Sequence, residues 1–136
     1  MKEKGGTNLK RLLRQMSPRL ADGGYVFCTL PPDKVPHGLS PLCLFQEHEG
    51  TSLICTRADA DQWGLHYDGT YRLITLTVHS SLAAVGLLAA VSTALAEAEI
   101  PCNAVSAFHH DHLFVPSRDA CKALALIEEL ARRDAP

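Results

Sequence analysis

The sequence carries no surplus of charge of either sign: 13 Lys and Arg stand against 15 Asp and Glu, for a formal net charge of −2. A protein that neutralises phosphates needs a basic excess, so nucleic acid is not expected as a partner. There is also no Cys-x-x-C pair. The five cysteines, Cys28, Cys43, Cys55, Cys102 and Cys121, are odd in number and fall mostly inside apolar runs, where a thiol behaves as a small hydrophobe. A reduced, structural set of thiols and a cytoplasmic setting are expected. A Ser-His-Asp order, a phosphate-binding glycine loop and a dinucleotide fingerprint are all missing. The opening residues MKEKGGTNLKRLLRQM have basic side chains but no apolar core of signal-peptide length, so export is not expected. No catalytic residue, resident cofactor or metal is assigned.

One charge-free stretch needs separate treatment. From Leu73 to Ala96 the chain reads LITLTVHSSLAAVGLLAAVSTALA, long enough to span a bilayer as a single helix. Its propensity changes midway, however. Leu73 to Val78 is β-branched and alternating, His79-Ser80-Ser81 is polar, and only the remainder is rich in Ala and Leu. Strand, loop and buried helix describe it better than a membrane span.

What is present is globular in proportion: 136 residues, 46% hydrophobic and 21% charged, enough for one domain or two small halves sharing a core. Leu9, Leu12, Leu13 and Met16 recur at helical spacing and predict an amphipathic helix over Thr7 to Met16. Tyr25 to Leu30 has strand composition and stops at Pro31-Pro32. The proline-rich segment to Pro41 is expected to be an exposed loop. Residues 42–47 and 51–56 form two short strands around His48-Glu49-Gly50, and a short helix covers 58–63. Glu47 and Glu49, which flank this turn, are expected to be solvated hairpin charges.

The second half predicts a strand over 71–78, a helix over 84–98, strands over 102–108 and 112–115, and a helix from Arg118 to about Arg132 capped by Ser117. The order β-α-β-β-α predicts an α+β, ferredoxin-like arrangement: an antiparallel sheet with helices on one face. The first half repeats that order loosely, which divides the chain into residues 1–66 and 67–136. No strand follows Arg133, so the strand over Tyr25 to Leu30 is expected to cover the open edge, from the same chain or from a second copy.

Three runs then carry a resemblance: SSLAAVGLLAAV from Ser80 to Val91, ALAEAEI from Ala94 to Ile100, and CNAV from Cys102 to Val105. A strand ending in a loop, a glycine opening a helix, and Leu-x-x-Ala-x-Ile closing it resemble the ACT domain, the amino-acid-sensing module of aspartokinases and related enzymes. With HDHLFVP and FQEHEGTSLI, the chain resembles small bacterial tandem ACT proteins of uncharacterised role. The likeness is strong over 71–132 and weaker over 24–64. It implies two tandem βαββαβ units in a homodimer and a small-molecule effector, such as an amino acid, that regulates an unidentified protein partner. The effector would lie where the loop His79, Ser80, Ser81 to Val85, Gly86 and Leu87 faces Asn103, Ala104 and Val105. Asn103 would accept from the ligand ammonium, and backbone groups of Val85, Gly86 and Val105 would satisfy its other polar atoms. Many amino-acid-binding members carry an acidic residue or Pro before the glycine. Here those positions read Ala84-Val85, which keeps a ligand-free interaction module as the alternative.

The stretch FHHDHLFVP, Phe108 to Pro116, offers a further reading. Three imidazoles and Asp111 are suitable metal ligands, but adjacent residues rarely converge on one ion. A hairpin turn in which Asp111 caps backbone N–H groups is preferred. In the ACT reading, His110 or Asp111 would lie beside the effector pocket.

Overall fold

The computed structural model describes the backbone over residues 5–78 and 85–133. Helix α1 (Gly5–Gln15) begins the chain, and the predicted stripe packs inward, with Leu12, Leu13 and Met16 buried. The elements that follow are β1 (Ser17–Leu20), β2 (Tyr25–Leu30), β3 (Cys43–Glu47), β4 (Gly50–Thr56), α2 (Arg57–Gln62), β5 (Tyr71–Thr77), α3 (Leu87–Glu97), β6 (Asn103–Ser106), β7 (Asp111–Pro116) and α4 (Ala120–Arg133). No helix among the described residues is long and apolar enough to cross a membrane.

All seven strands join one antiparallel sheet in the order β3-β4-β2-β5-β7-β6, with β1 also paired to β5. The second unit is the split β-α-β expected from the sequence, β5-α3-β6-β7-α4. Its fourth strand, however, is β1 and not the strand over Tyr25 to Leu30. Ser17 to Leu20 pairs with Thr77 to Ile74, whereas β2 reaches β5 only through Tyr25 and Tyr71. The run Ser-Pro-Arg-Leu has a proline and no alternation of apolar residues, so it gives no strand signal of its own. As the outermost strand on this side of β5 it tolerates Pro18.

The first unit is abbreviated. β2, β4 and β3 pair as a meander, and residues 31–42 form turns where the second unit has α3. Most of this segment is exposed, as its prolines predict, but Leu39 turns inward onto Val26, Cys28, Leu53, Cys55 and Ala60. At the β3–β4 hairpin, Gly50 has φ +155, and a Cβ there would lie 3.0 Å from the Leu30 carbonyl oxygen. The turn needs glycine because β2 passes directly beneath it. Thr56 caps α2 by accepting from the Asp59 N–H at 3.1 Å.

Strand alternation sorts the side chains. On one face Ile74, Leu76, Leu113 and Val115 meet Val91 and Leu95 of α3 and Ala123 and Ile127 of α4. The other face carries no helix. Ile54, Leu73 and Phe114 are buried there with Tyr25 and Tyr71 packed around them, and Phe114 meets the rings of Tyr25 and Phe27 edge-on at 5.9 and 5.5 Å. Ser117 does not cap α4: it opens a 3-10 turn, and its hydroxyl pairs with Thr70 Oγ1 at 3.1 Å.

Candidate functional site

The loop-to-helix junction of the second unit and the β6–β7 hairpin lie at the same end of the sheet. β6 and β5 both pair antiparallel with β7, so they run parallel to each other. Leu76, Asp111 and Ser106 form one row across the three strands. The chain leaves β5 at Val78 and enters α3 at Leu87. His79, Ser80, Ser81 and Ala84, expected in the loop between, lie outside the described residues.

Beyond them, Val85 is 74% exposed and Leu87 is buried in the core of the unit. Gly86 is the N-cap of α3 with φ +103 and no side-chain cap. Its carbonyl accepts from the Ala90 N–H at 2.9 Å. A Cβ at Gly86 would stand 3.1 Å from Leu9 Cδ2 of α1, so both the backbone twist and the α1 contact favour glycine. The first amide groups of α3 have no carbonyl partners within the helix.

The histidine stretch forms the adjoining hairpin. Ala107 N–H donates to the His110 carbonyl at 3.0 Å and closes the turn. His110 Nδ1 lies 3.4 Å from the Val78 carbonyl, so this ring touches the strand end from which the loop departs. Asp111 does not cap backbone N–H groups as expected. Its Oδ1 accepts from Ser106 Oγ at 2.6 Å, because the two residues are directly paired across the hairpin. His112 Nδ1 pairs with Thr75 Oγ1 at 2.9 Å. Burial pushes the His112 pKa down, the neighbouring His110 adds to this, and Asp111 opposes it. His112 is therefore neutral at neutral pH.

The His110 ring lies 6.4 Å from the rings of both His112 and His109, and His109 also stands edge-on to the exposed Phe108 ring at 5.0 Å. Among the described residues no three His, Cys, Asp or Glu side chains form a group able to hold a metal ion.

Of the sequence-derived site residues, the structure groups His110, Asp111 and Val105 near the end of β5, with Val105 on the helix-free face of the sheet. Asn103 and Ala104 stand farther along β6. Asn103 pairs with Phe114, three residues or about 10 Å from Ser106, and its Nδ2 contacts the Phe114 carbonyl at 3.4 Å. Ser106 and Thr75, which hold Asp111 and His112, were not singled out by the sequence. Their roles follow from strand register, which a single sequence does not display.

Cys28 and Cys55 are buried as small hydrophobes, Cys43 and Cys102 are partly buried, and Cys121 is exposed. All five are free, and burial raises the pKa of Cys28, Cys55 and Cys102, that of Cys55 to about 11.

Comparisons with known proteins agree with this fold. ACT domains match residues 4–72 and, separately, residues 69–129. A crystal structure of a protein of unknown function from Vibrio cholerae, described as a possible transport protein, is 43% identical. It matches with a TM-score of 0.84 over 94% of this chain and 99% of that one. A protein from Agrobacterium tumefaciens is 21% identical, with a TM-score of 0.72 over 85% of this chain and 89% of its own. The ligand-free regulatory subunit of aspartate kinase from Thermus thermophilus shares the fold at 8% identity, with a TM-score of 0.65 over 87% and 97% of the two chains. No curated protein matches the sequence significantly. With both halves matched and the two-unit sheet in place, this chain belongs to the ACT-domain family as a tandem ACT protein.

Proposed function

We propose that this chain is a non-enzymatic, cytoplasmic regulatory protein that binds a small-molecule effector, an amino acid, and acts as a homodimer on a protein partner. The observation that carries the reading is the junction at Gly86. A glycine with φ +103 opens α3 at the sheet end where His110 reaches the Val78 carbonyl and Ser106 holds Asp111. Unpaired amides at a helix start suit a carboxylate, and an acidic or imidazole group beside them suits an ammonium. The residues assigned to the effector are His79, Ser80, Ser81, Val85, Gly86, Leu87, Asn103, Ala104, Val105, His110 and Asp111.

The dimer reading rests on β6. It ends the sheet, its residues Asn103, Ala104 and Ser106 are exposed, and it bears no charged side chain to discourage pairing. A second copy on this edge would bring Asn103 and Ala104 to a neighbouring loop, which the separation along one β6 does not do within one chain. The free thiols fit a reducing compartment.

Thermal unfolding against the twenty amino acids, one at a time, tests the reading. An amino acid at about 100 times its dissociation constant adds roughly 2.7 kcal/mol, a rise of several degrees for a domain of this size. One amino acid, or a close chemical pair, is expected to give that rise. A flat panel refutes effector binding and favours the ligand-free interaction module, the reading suggested by the exposed apolar Val85.

A further inference from the structure

The helix-free side of the sheet holds a second feature, away from α3 and its loop. In a flat sheet β3 and β6 would be five strand spacings apart, about 24 Å. Here Cys43 and Phe45 of β3 and Val105 of β6 line one cavity of about 410 Å³. The sheet therefore curls until its two edges share a single concave surface, a half-closed barrel. Phe27 and Ile54 form the floor between them. Phe27 is fixed there by edge contacts at 5.1 Å with Tyr71 and 5.5 Å with Phe114, so the floor is preorganised and does not collapse.

The inner surface is chemically graded. Phe27, Phe45 and Ile54 are apolar, and none of the lining residues is charged. Phe27 and Phe45 remain 37% and 68% exposed, an unusual placement for two aromatic rings that face one hollow. At one end stand the hydroxyls of Thr29 and Ser52, which are cross-strand partners. The Ser52 hydroxyl in turn donates to the Glu47 carboxylate. No cationic side chain pairs with Glu47 among the described residues.

From this grading we infer that the curled face is a binding site for a small aromatic amine: the ring lies between Phe27 and Phe45, and the ammonium points to Ser52 and Glu47. The volume is within the range of small-molecule sites, and barrel mouths are a recurrent place for them. The aromatic faces attract the cation as well as the ring, and Glu47 supplies the opposite charge. A carboxylate-bearing ligand would meet Glu47 with like charge and is excluded at this end. Apart from Val105 of β6, which lines this hollow, the site shares no residue with the effector site proposed above and does not depend on it.

The test uses the full chain labelled with ¹⁵N, titrated with 2-phenylethylamine and, separately, with 2-phenylethanol, 3-phenylpropionate and methylamine. The expected result is saturable amide shifts at Phe27, Thr29, Phe45, Ser52 and Val105 with 2-phenylethylamine, weaker shifts with the alcohol, and none with the other two. Phe45→Ala, at a largely exposed position, should fold normally and bind about fivefold more weakly. Glu47→Gln should remove the preference for the amine over the alcohol. Absence of shifts at millimolar probe, or shifts confined to the helical side, overturns the site. Unchanged amine preference in Glu47→Gln overturns the assignment of the ammonium end. If Phe45→Ala converts a dimer to a monomer by light scattering and the wild type does not bind the probe, the face is an interface between copies and the inference is wrong.

Discussion

Replacing Phe114 with alanine probes whether the two ACT units share one core. Phe114 belongs to β7 of the second unit and is 1% exposed, yet two of its ring partners, Tyr25 and Phe27, belong to β2 of the first. Truncating a buried Phe to Ala costs about 3–5 kcal/mol through lost transfer free energy and the cavity left behind. Phe114→Leu keeps most of the volume and removes the two edge-on ring pairs, at roughly 0.5–1.5 kcal/mol each, so its loss should be about 1–3 kcal/mol. At about 3 °C per kcal/mol for a chain of this size, Phe114→Ala should lower Tm by about 10–15 °C.

Urea unfolding followed by two probes checks the coupling. Trp63, the sole tryptophan, lies in the first unit against Gly38, while far-ultraviolet circular dichroism reads mainly α3 and α4 of the second unit and α1, which packs on their core. Because Phe114 bridges the units, both midpoints should fall together. A Trp63 midpoint that stays at the wild-type value while the dichroism midpoint drops would show two separately folding units and refute the shared core.

Acid sensitivity should depend in part on His112. Its folded-state pKa is lowered, chiefly by burial, so the unfolded chain binds the extra proton first as pH falls. Stability is then full above the unfolded value near 6.5 and declines as pH drops below it. His112→Gln should flatten that decline in urea midpoints measured from pH 7.5 to 5, and an unchanged slope would contradict the assignment. The thiols should divide by accessibility under native iodoacetamide. Cys121 is exposed and should be alkylated fast, whereas Cys28 and Cys55 are buried, with pKa values raised by burial, and should label only at the rate of unfolding. Mass spectrometry of timed samples decides; early modification of Cys55 would contradict its burial.

Much of the fold was legible because local pattern and tertiary packing agree. Leu9, Leu12, Leu13 and Met16 repeat at helical spacing, and the last three are buried. The alternation over Leu73 to Val78 is a strand followed by α3, as the change in propensity required. β1 was not legible. Ser17 to Leu20 becomes a strand only because β5 presents an edge and α4 covers the outcome, so the pairing is supplied by a partner 60 positions along the chain, Ser17 against Thr77. The ends of the site were partly legible: the histidine cluster marked the hairpin, but the bonds from Ser106 to Asp111 and from Thr75 to His112 depend on which residues face each other across strands.

Local composition and spacing set the elements other than β1, their order, and the family signature around Gly86 and Ile100. The tertiary structure alone decided which strand completes the second unit, which residues hold the histidines, and that Phe45 and Val105, at opposite edges of the sheet, line one cavity. Those outcomes come from register and from accumulated strand twist. Both are sums over many distant pairings, and no single stretch of sequence records them.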